Sequence, residues 1–367
     1  MKRCLAVILS SLILFTSCSG SSDKNGAGDK SDFVNAKEIN NNNNEEEIKN
    51  SEYDNISISD NFTIAIPEYD TLGIYEVIYS DDFDSNYETL FGKYIPDYDR
   101  DKVIINDGDN NLKQIQYEDN NTFSFVTSIG GFVLGSKQCL NRVLYGDAIP
   151  FIQTNLADTN NSVEYKIGTE NVSLNDLVSA SNTFISDFID SVNYPNSIKP
   201  FAFSTQTIDD GSVAGIMHCR YCYKGIPVFD LQSLHDEYSS KIAILTPPTC
   251  TFINGDEIGQ FTTTCAMCDY KTLQTIDKII SPADAVEVTS KKLSGYSKYE
   301  LQYEELVYFP TCNENILGIE PGNGYEPGDV ITLTPYWIIY FDTAWWHETF
   351  AAVNAVTGEV DFVNNAR

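Results

Sequence analysis

Cysteines are the residues with the clearest chemical potential in this 367-residue chain, and four of them form two C-x-x-C pairs. These are Cys219 with Cys222, and Cys265 with Cys268. Four thiolates are one of the ligand sets that hold zinc tetrahedrally, whereas outside the cytoplasm cysteines form disulfides. Both pairs lie in strand-like sequence, where residues three apart point to opposite faces and chelate one metal poorly. We therefore expect cross-strand disulfides between the two segments, with free thiols, zinc and a redox centre as alternatives.

A run of aspartates has the spacing of the first oxygen ligands in a calcium-binding EF-hand loop. Asp97, Asp99 and Asp101 alternate with other residues. In an EF-hand the sixth position is Gly and the twelfth is Glu, but here those positions carry Lys102 and Gly108. The sequence thus excludes an EF-hand. We expect a solvated acidic loop, with a looser calcium site as the alternative.

An aromatic pair, Trp345 and Trp346, lies at a predicted hairpin tip. Exposed aromatic rings stack on sugars or dock a partner, and the alternative is that they cover the sheet edge. No nucleophile elbow, phosphate-binding loop, HExxH or dinucleotide-binding fingerprint occurs in the chain. Only three histidines are present to serve as bases. We therefore expect a protein that is not an enzyme and has no cofactor.

The charge balance limits the classes of partner. The chain has 23 Lys and Arg against 53 Asp and Glu, a formal net charge of −30. Binding to nucleic acid needs a basic face that neutralises phosphates, and docking on anionic lipid needs a polybasic patch. The composition excludes both. A charged partner is expected to be basic.

The N-terminus has the pattern of an export signal. A basic start and an apolar run, too short to span a bilayer, precede Cys18 within residues 1–17. The sequence before Cys18 resembles a bacterial lipobox, which implies lipidation of this cysteine as the mature N-terminus. Residues 18–50 are polar and predict a disordered tether. The expected location is extracytoplasmic, anchored by lipid to the outer face of the cell membrane, and the N-terminal lipid is the only expected membrane contact.

The remaining sequence predicts an α+β fold. Residues 51–165 read as a strand-rich acidic domain. Helices with good start signals are predicted over 173–192 and from Ser281 to Gly295, and each is followed by strand-like segments. This order predicts two helix-on-antiparallel-sheet units, over 166–275 and 276–367.

The second unit resembles the PepSY-like pattern of Gram-positive envelope proteins, and the chain as a whole resembles larger clostridial lipoproteins of unknown function. The matching elements are a helix at 281–293, strands at 301–310 and 334–337, a closing hairpin at 354–359, and the turn of a preceding repeat at 225–228. The resemblance implies two PepSY- or cystatin-like units and a module that binds an envelope protein or peptide, restrains a protease or regulates a sensor. The alternative function is a surface lipoprotein that binds calcium, zinc or glycans.

Overall fold

The computed structural model describes residues 33–39, 41–107, 113–137, 139, 150–155, 163–207, 211–229, 248–263, 266–295, 298–312, 330–341 and 349–364. Its helices of eight or more residues are α1 (Asn41–Asn50), α2 (Tyr87–Tyr94), α3 (Leu174–Val192) and α4 (Pro282–Lys292). Its strands are β1 (Phe33–Asn35), β2 (Ile56–Ala65), β3 (Leu72–Tyr79), β4 (Val103–Asp107), β5 (Lys113–Glu118), β6 (Thr122–Thr127), β7 (Phe132–Ser136), β8 (Pro150–Asn155), β9 (Glu164–Ile167), β10 (Glu170–Ser173), β11 (Ser197–Thr207), β12 (Val213–Tyr223), β13 (Ile226–Pro227), β14 (Thr249–Asn254), β15 (Glu257–Thr263), β16 (Met267–Ile276), β17 (Lys278–Ile280), β18 (Tyr299–Cys312), β19 (Ile331–Tyr340), β20 (Thr349–Asn354) and β21 (Val360–Asn364). The predicted α+β class is confirmed.

Two large sheets organise the molecule. The first sheet runs in the order β4-β5-β6-β7-β15-β14-β12-β11-β8, with β13 paired to β12. The second sheet runs β16-β3-β19-β18-β2, and β20 and β21 branch from β19. Nearly all neighbours are antiparallel, but β2 pairs with β18 in parallel. The buried apolar side chains of both sheets belong to one continuous core.

The two helices predicted from the sequence form at the expected residues. Helix α3 begins after Ser173, whose hydroxyl accepts a hydrogen bond from the Asp176 amide at 3.1 Å. Helix α4 begins after Ser281, whose hydroxyl accepts a hydrogen bond from the Asp284 amide at 3.1 Å. Helix α3 packs on β11, β12 and β15 of the first sheet, whereas α4 packs on β19, β20 and β21 of the second. Each helix therefore covers one sheet, as expected.

The predicted division into successive units is wrong, because each sheet collects strands from distant parts of the chain. Strands β2 and β3, from the expected acidic domain, lie in the second sheet, whereas β4 to β8 lie in the first. Strands β14 and β15 lie in the first sheet while the next strand, β16, lies in the second. The boundaries at 165 and 275 thus fall inside shared sheets, and two consecutive PepSY-like units are not formed. Strand-like patterning gives the face that a strand buries, but it does not give its partner.

The folded part begins earlier than the predicted tether allows. Strand β1 pairs with β17, and Tyr69 donates a hydrogen bond to the Ala36 carbonyl at 2.7 Å. Helix α1 packs on β2 and buries Ile48 completely. Scattered apolar residues in this polar segment are thus enough to hold it against the body. Within the described residues no helix is long and apolar enough to cross a membrane.

Polar and aromatic contacts join the two sheets. Tyr223, at the end of β12, stacks on Tyr270 of β16 with ring centroids 3.6 Å apart. Past β13, Phe229 stacks on Phe309 of β18 at 4.9 Å, and the Phe229 amide donates to the Tyr308 carbonyl at 2.8 Å. The β12–β13 segment of the first sheet therefore packs directly against β18 of the second.

Candidate functional site

An open groove lies along the solvent-facing side of α3. Its volume is about 580 Å³, and its other wall is the start of β15 with the turn before it. The residues that line it are Asp176, Ser179, Ala180, Thr183, Phe184, Asp187, Asp256 and Ile258. The helical members recur at intervals of three and four, so they form one stripe along the helix. The groove combines a partly apolar floor with carboxylates at its rim.

The helix presents this stripe because its opposite side is fixed in the core. Leu174, Leu177, Ser181, Ile185 and Phe188 are its buried side chains. Phe188 stacks on Phe132 of β7 with centroids 5.4 Å apart and contacts Phe261 of β15 at 5.0 Å. This packing sets the rotation of the helix, so Asp176 and Asp187 point to solvent.

The second wall is a tight turn between β14 and β15. Gly255 has a φ of +64°, and a Cβ there would meet Glu170 Oε2 at 2.6 Å. Asn254 Nδ2 donates to Glu170 Oε1 at 3.1 Å, and Asn254 Oδ1 accepts from the Thr169 hydroxyl at 3.0 Å. The turn is therefore tied to the β9–β10 hairpin, which positions Asp256 at the groove. The sequence Asn-Gly-Asp at 254–256 is typical of such a turn.

The rim of the groove is negative at Asp176 and Asp256, whereas the charge of Asp187 is balanced by Lys93. Lys93 of α2 contacts Asp187 at 2.6 Å, and the Tyr94 hydroxyl donates to the same carboxylate at 2.8 Å. These hydrogen bonds, from Lys93 foremost, hold the pKa of Asp187 below its usual value. Asp176 accepts from the Ser173 hydroxyl at 2.6 Å, and Asp256 is an exposed turn residue. The surface is suited to a ligand with positive charge and some apolar surface.

A buried polar cluster lies where the first sheet meets the second. Arg220 Nη1 donates to Glu305 Oε1 at 2.8 Å and to Oε2 at 2.9 Å, and the Tyr340 hydroxyl donates to Oε1 at 2.5 Å. The guanidinium also lies 4.1 Å from the centroid of the Phe201 ring. Arg220 and Glu305 are each 5% exposed. This cluster joins the sheets in the interior of the protein.

A hydroxyl–imidazole pair was not singled out by the sequence. Ser204 of β11 and His218 of β12 lie on the same face of the first sheet, with Oγ and Nε2 2.8 Å apart. Burial lowers the pKa of His218 to about 3, so the ring is neutral but a weak base. Both residues are buried, and neither lines the groove. This arrangement lacks the basicity and the access that a nucleophilic catalyst needs.

The predicted disulfides of Cys219 and Cys222 are not present in the structure. Both are buried free thiols, as are Cys139 and Cys250. Cys219 faces Cys250 of β14, and burial is the main cause that raises its pKa. Strands β12 and β16 belong to different sheets and are not paired with one another. Cys265 lies outside the described residues, and so does the side chain of Cys268.

These thiols lead to a prediction about alkylation. We expect Cys139, Cys219, Cys222 and Cys250 to resist iodoacetamide in the native protein, because all four are buried and burial raises the pKa of the first three. After unfolding without a reductant, all four should be alkylated. Peptide mass spectrometry distinguishes this from disulfides, which would leave Cys219 and Cys222 unmodified until a reductant is added.

The calcium candidates Asp97, Asp99 and Asp101 lie between α2 and β4. Asp99 caps a short turn, accepting from the Asp101 amide at 3.1 Å, and Asp97 is exposed with a φ of +53°. Across the described residues no group of three or more His, Cys, Asp or Glu side chains is arranged to hold a metal. Cys18, Trp345 and Trp346 lie outside the described residues.

Comparisons with known proteins give the fold and no function. No protein-family model matches the chain, and no curated protein matches it significantly. The structure is similar to that of an uncharacterised protein from Eubacterium rectale ATCC 33656, with a TM-score of 0.51 and 12% sequence identity. The similarity covers 83% of this chain and 92% of that one. At this identity it supports a shared fold only.

Proposed function

We propose that this protein is a non-enzymatic binding module that takes a basic segment of an envelope protein or peptide into the groove along α3. The observation that carries the proposal is the combination of the exposed carboxylates Asp176 and Asp256 with the half-buried Ala180 and Phe184 in one groove. A net charge of −30 adds a long-range attraction for a basic partner.

The cellular setting is part of the same proposal. The lipobox-like sequence supports lipidation of Cys18 and a location on the outer face of the cell membrane, where the protein meets other envelope proteins. The resemblance of 281–359 to PepSY-like sequences supports a regulatory or protease-restraining role. In this role, the groove would hold a basic segment of the regulated protein.

The test is isothermal titration calorimetry of the protein with a synthetic amphipathic peptide of lysines and leucines. Replacing Ala180 by Arg should weaken binding more than tenfold, because the new side chain fills the groove and repels lysine. Asn182→Arg is the matched control, since Asn182 is exposed on the same helix but does not line the groove. Equal affinity of the two variants would contradict the proposal.

A second pair of variants isolates the charge of the rim. Exposed ion pairs contribute about 0.2–1 kcal/mol each, so Asp176→Asn with Asp256→Asn should weaken the peptide roughly two- to thirtyfold. Asp60→Asn, at an exposed position on β2, makes the same kind of change away from the groove and should have no such effect. Raising the salt concentration should reduce the difference in peptide affinity between the double variant and the unmodified protein.

A further inference from the structure

Strand β4 is an open edge of the first sheet. It pairs with β5 from Val103 opposite Tyr117 to Asp107 opposite Lys113, and no strand of the described part pairs with its other side. Ile104 is 52% exposed and Ile105 is 56% exposed, the highest values among the large apolar side chains of the described residues. An edge with this much apolar surface is a template for pairing with another chain.

Ile104 and Ile105 are exposed on opposite faces of the sheet at this edge. Ile105 lies opposite Ile115 of β5, which is 1% exposed, so Ile105 continues the core-facing side of the sheet. Ile104 lies opposite Gln116 on the outer side. The core-facing side therefore ends at an uncovered side chain. One more strand would cover Ile105 with a cross-strand neighbour and satisfy the outward amides and carbonyls of β4.

We propose that β4 accepts an extended basic segment of a partner protein as an additional antiparallel strand. The charges at its ends favour a basic segment. Asp99 and Asp101 precede the strand and Asp107 ends it. Two cations lie among these acids: Arg100 is already paired with Glu88 of α2, and the charge of Lys102, which directly precedes the strand, acts on the carboxylate of Asp119. A segment with alternating apolar residues and a lysine at each end matches both the isoleucines and the acids.

A second copy of this chain fits the edge less well. Antiparallel pairing by two-fold symmetry centred on Ile105 places Asp107 of each copy opposite Val103 of the other, an acid against a half-buried apolar residue. Each copy also has a net charge of −30, so the two bodies repel one another. A basic segment has neither disadvantage. The site contains none of the residues that line the groove, so this inference does not rest on the proposed function.

The probe is a capped peptide, Lys-Thr-Val-Thr-Val-Lys, with Glu-Thr-Val-Thr-Val-Glu as its acidic counterpart. Hydrogen exchange followed by mass spectrometry should show that the basic peptide slows exchange at 103–107 at least threefold and that the acidic peptide does not. Ile105→Lys places a charge on the edge and should remove the protection and weaken binding more than tenfold. Ile78→Lys is the matched control, because Ile78 is an isoleucine of β3 in the second sheet that is 44% exposed.

The remaining outcomes overturn the inference. Equal protection by the two peptides would mean that charge does not select the segment. Equal loss of binding in the Ile78 and Ile105 variants would mean that the peptide does not pair at β4. A concentration-dependent dimer that Ile105→Lys abolishes, seen by analytical ultracentrifugation without peptide, would assign the edge to a second copy.

Discussion

Replacing Arg220 by Met should lower the free energy of unfolding by about 3–5 kcal/mol, because the change leaves the carboxylate of Glu305 buried without its cation. Glu305 receives two hydrogen bonds from Arg220, at 2.8 and 2.9 Å, and one from Tyr340. Arg220 and Glu305 are each 5% exposed, so water cannot replace the lost partner. Since Arg220 belongs to the first sheet and Glu305 to the second, the loss affects the contact between them.

Urea denaturation at neutral pH measures this effect. The double variant Arg220→Met with Glu305→Gln should recover part of the loss, because no uncompensated charge remains. The matched control is Lys271→Met, which removes an ion pair of the same 2.8 Å length to Glu76. That pair is exposed and should cost about 0–1 kcal/mol. Equal losses in the two single variants would contradict the role given to Arg220.

The second large effect is a pH dependence caused by Glu304. This residue is completely buried on β18, and within the described part neither carboxylate oxygen has a hydrogen-bond partner. Burial raises the pKa of Glu304 well above its usual value. The folded state therefore keeps a proton that the unfolded chain releases near pH 4.3. Stability should fall by about 1.4 kcal/mol per pH unit above that value, until the pH reaches the folded pKa.

His218 produces the opposite slope in part of the same range. Burial lowers its pKa to about 3, whereas an unfolded histidine titrates near 6.5. Between these values the unfolded chain binds the extra proton, so the His218 contribution increases stability as the pH rises. From about pH 4.3 upward the slopes caused by Glu304 and His218 therefore oppose one another. Above about pH 6.5 the His218 contribution is constant.

Two single variants separate these contributions. Relative to the unmodified protein, the free energy of unfolding of Glu304→Gln should increase by about 1.4 kcal/mol per pH unit from pH 5 upward, until the pH reaches the folded pKa of Glu304. Relative to the unmodified protein, the free energy of unfolding of His218→Gln should decrease by about 1.4 kcal/mol per pH unit between pH 5 and 6.5. Above pH 6.5 the contribution of His218 should change no further. Denaturant titrations at several pH values measure both. If the difference in the free energy of unfolding between the Glu304 variant and the unmodified protein does not change with pH, this carboxyl titrates normally.

Features encoded by adjacent residues were predictable from the sequence. The Ser173 and Ser281 caps and the turn at Gly255 follow from local residue types. The parallel contact between β2 and β18 joins residues about 240 positions apart, and no local signal specifies it. Strand partners therefore had to come from the structure.

Only part of the candidate site could be predicted from the sequence, because no local signal specifies contacts between distant residues. Asp176, Ala180 and Asp187 form a recognisable helical stripe, but Asp256 reaches the groove from a hairpin far along the chain. Alternation along a strand did predict that Cys219 and Cys222 face opposite sides. In the structure Cys219 faces Cys250, and Cys222 lies near Lys199 and Arg220. What alternation could not give was the separation of β12 and β16 into different sheets.

Zero-length cross-linking tests the proposed basic-peptide groove most directly. A carbodiimide joins a lysine of the bound peptide to a carboxylate in contact with it, and peptide mass spectrometry identifies that carboxylate among the 53 acidic residues. We predict that the main cross-links form at Asp176 and Asp256 and disappear in the Ala180→Arg variant. Cross-links that are spread over exposed acids such as Asp60, and that persist in that variant, would contradict the proposal.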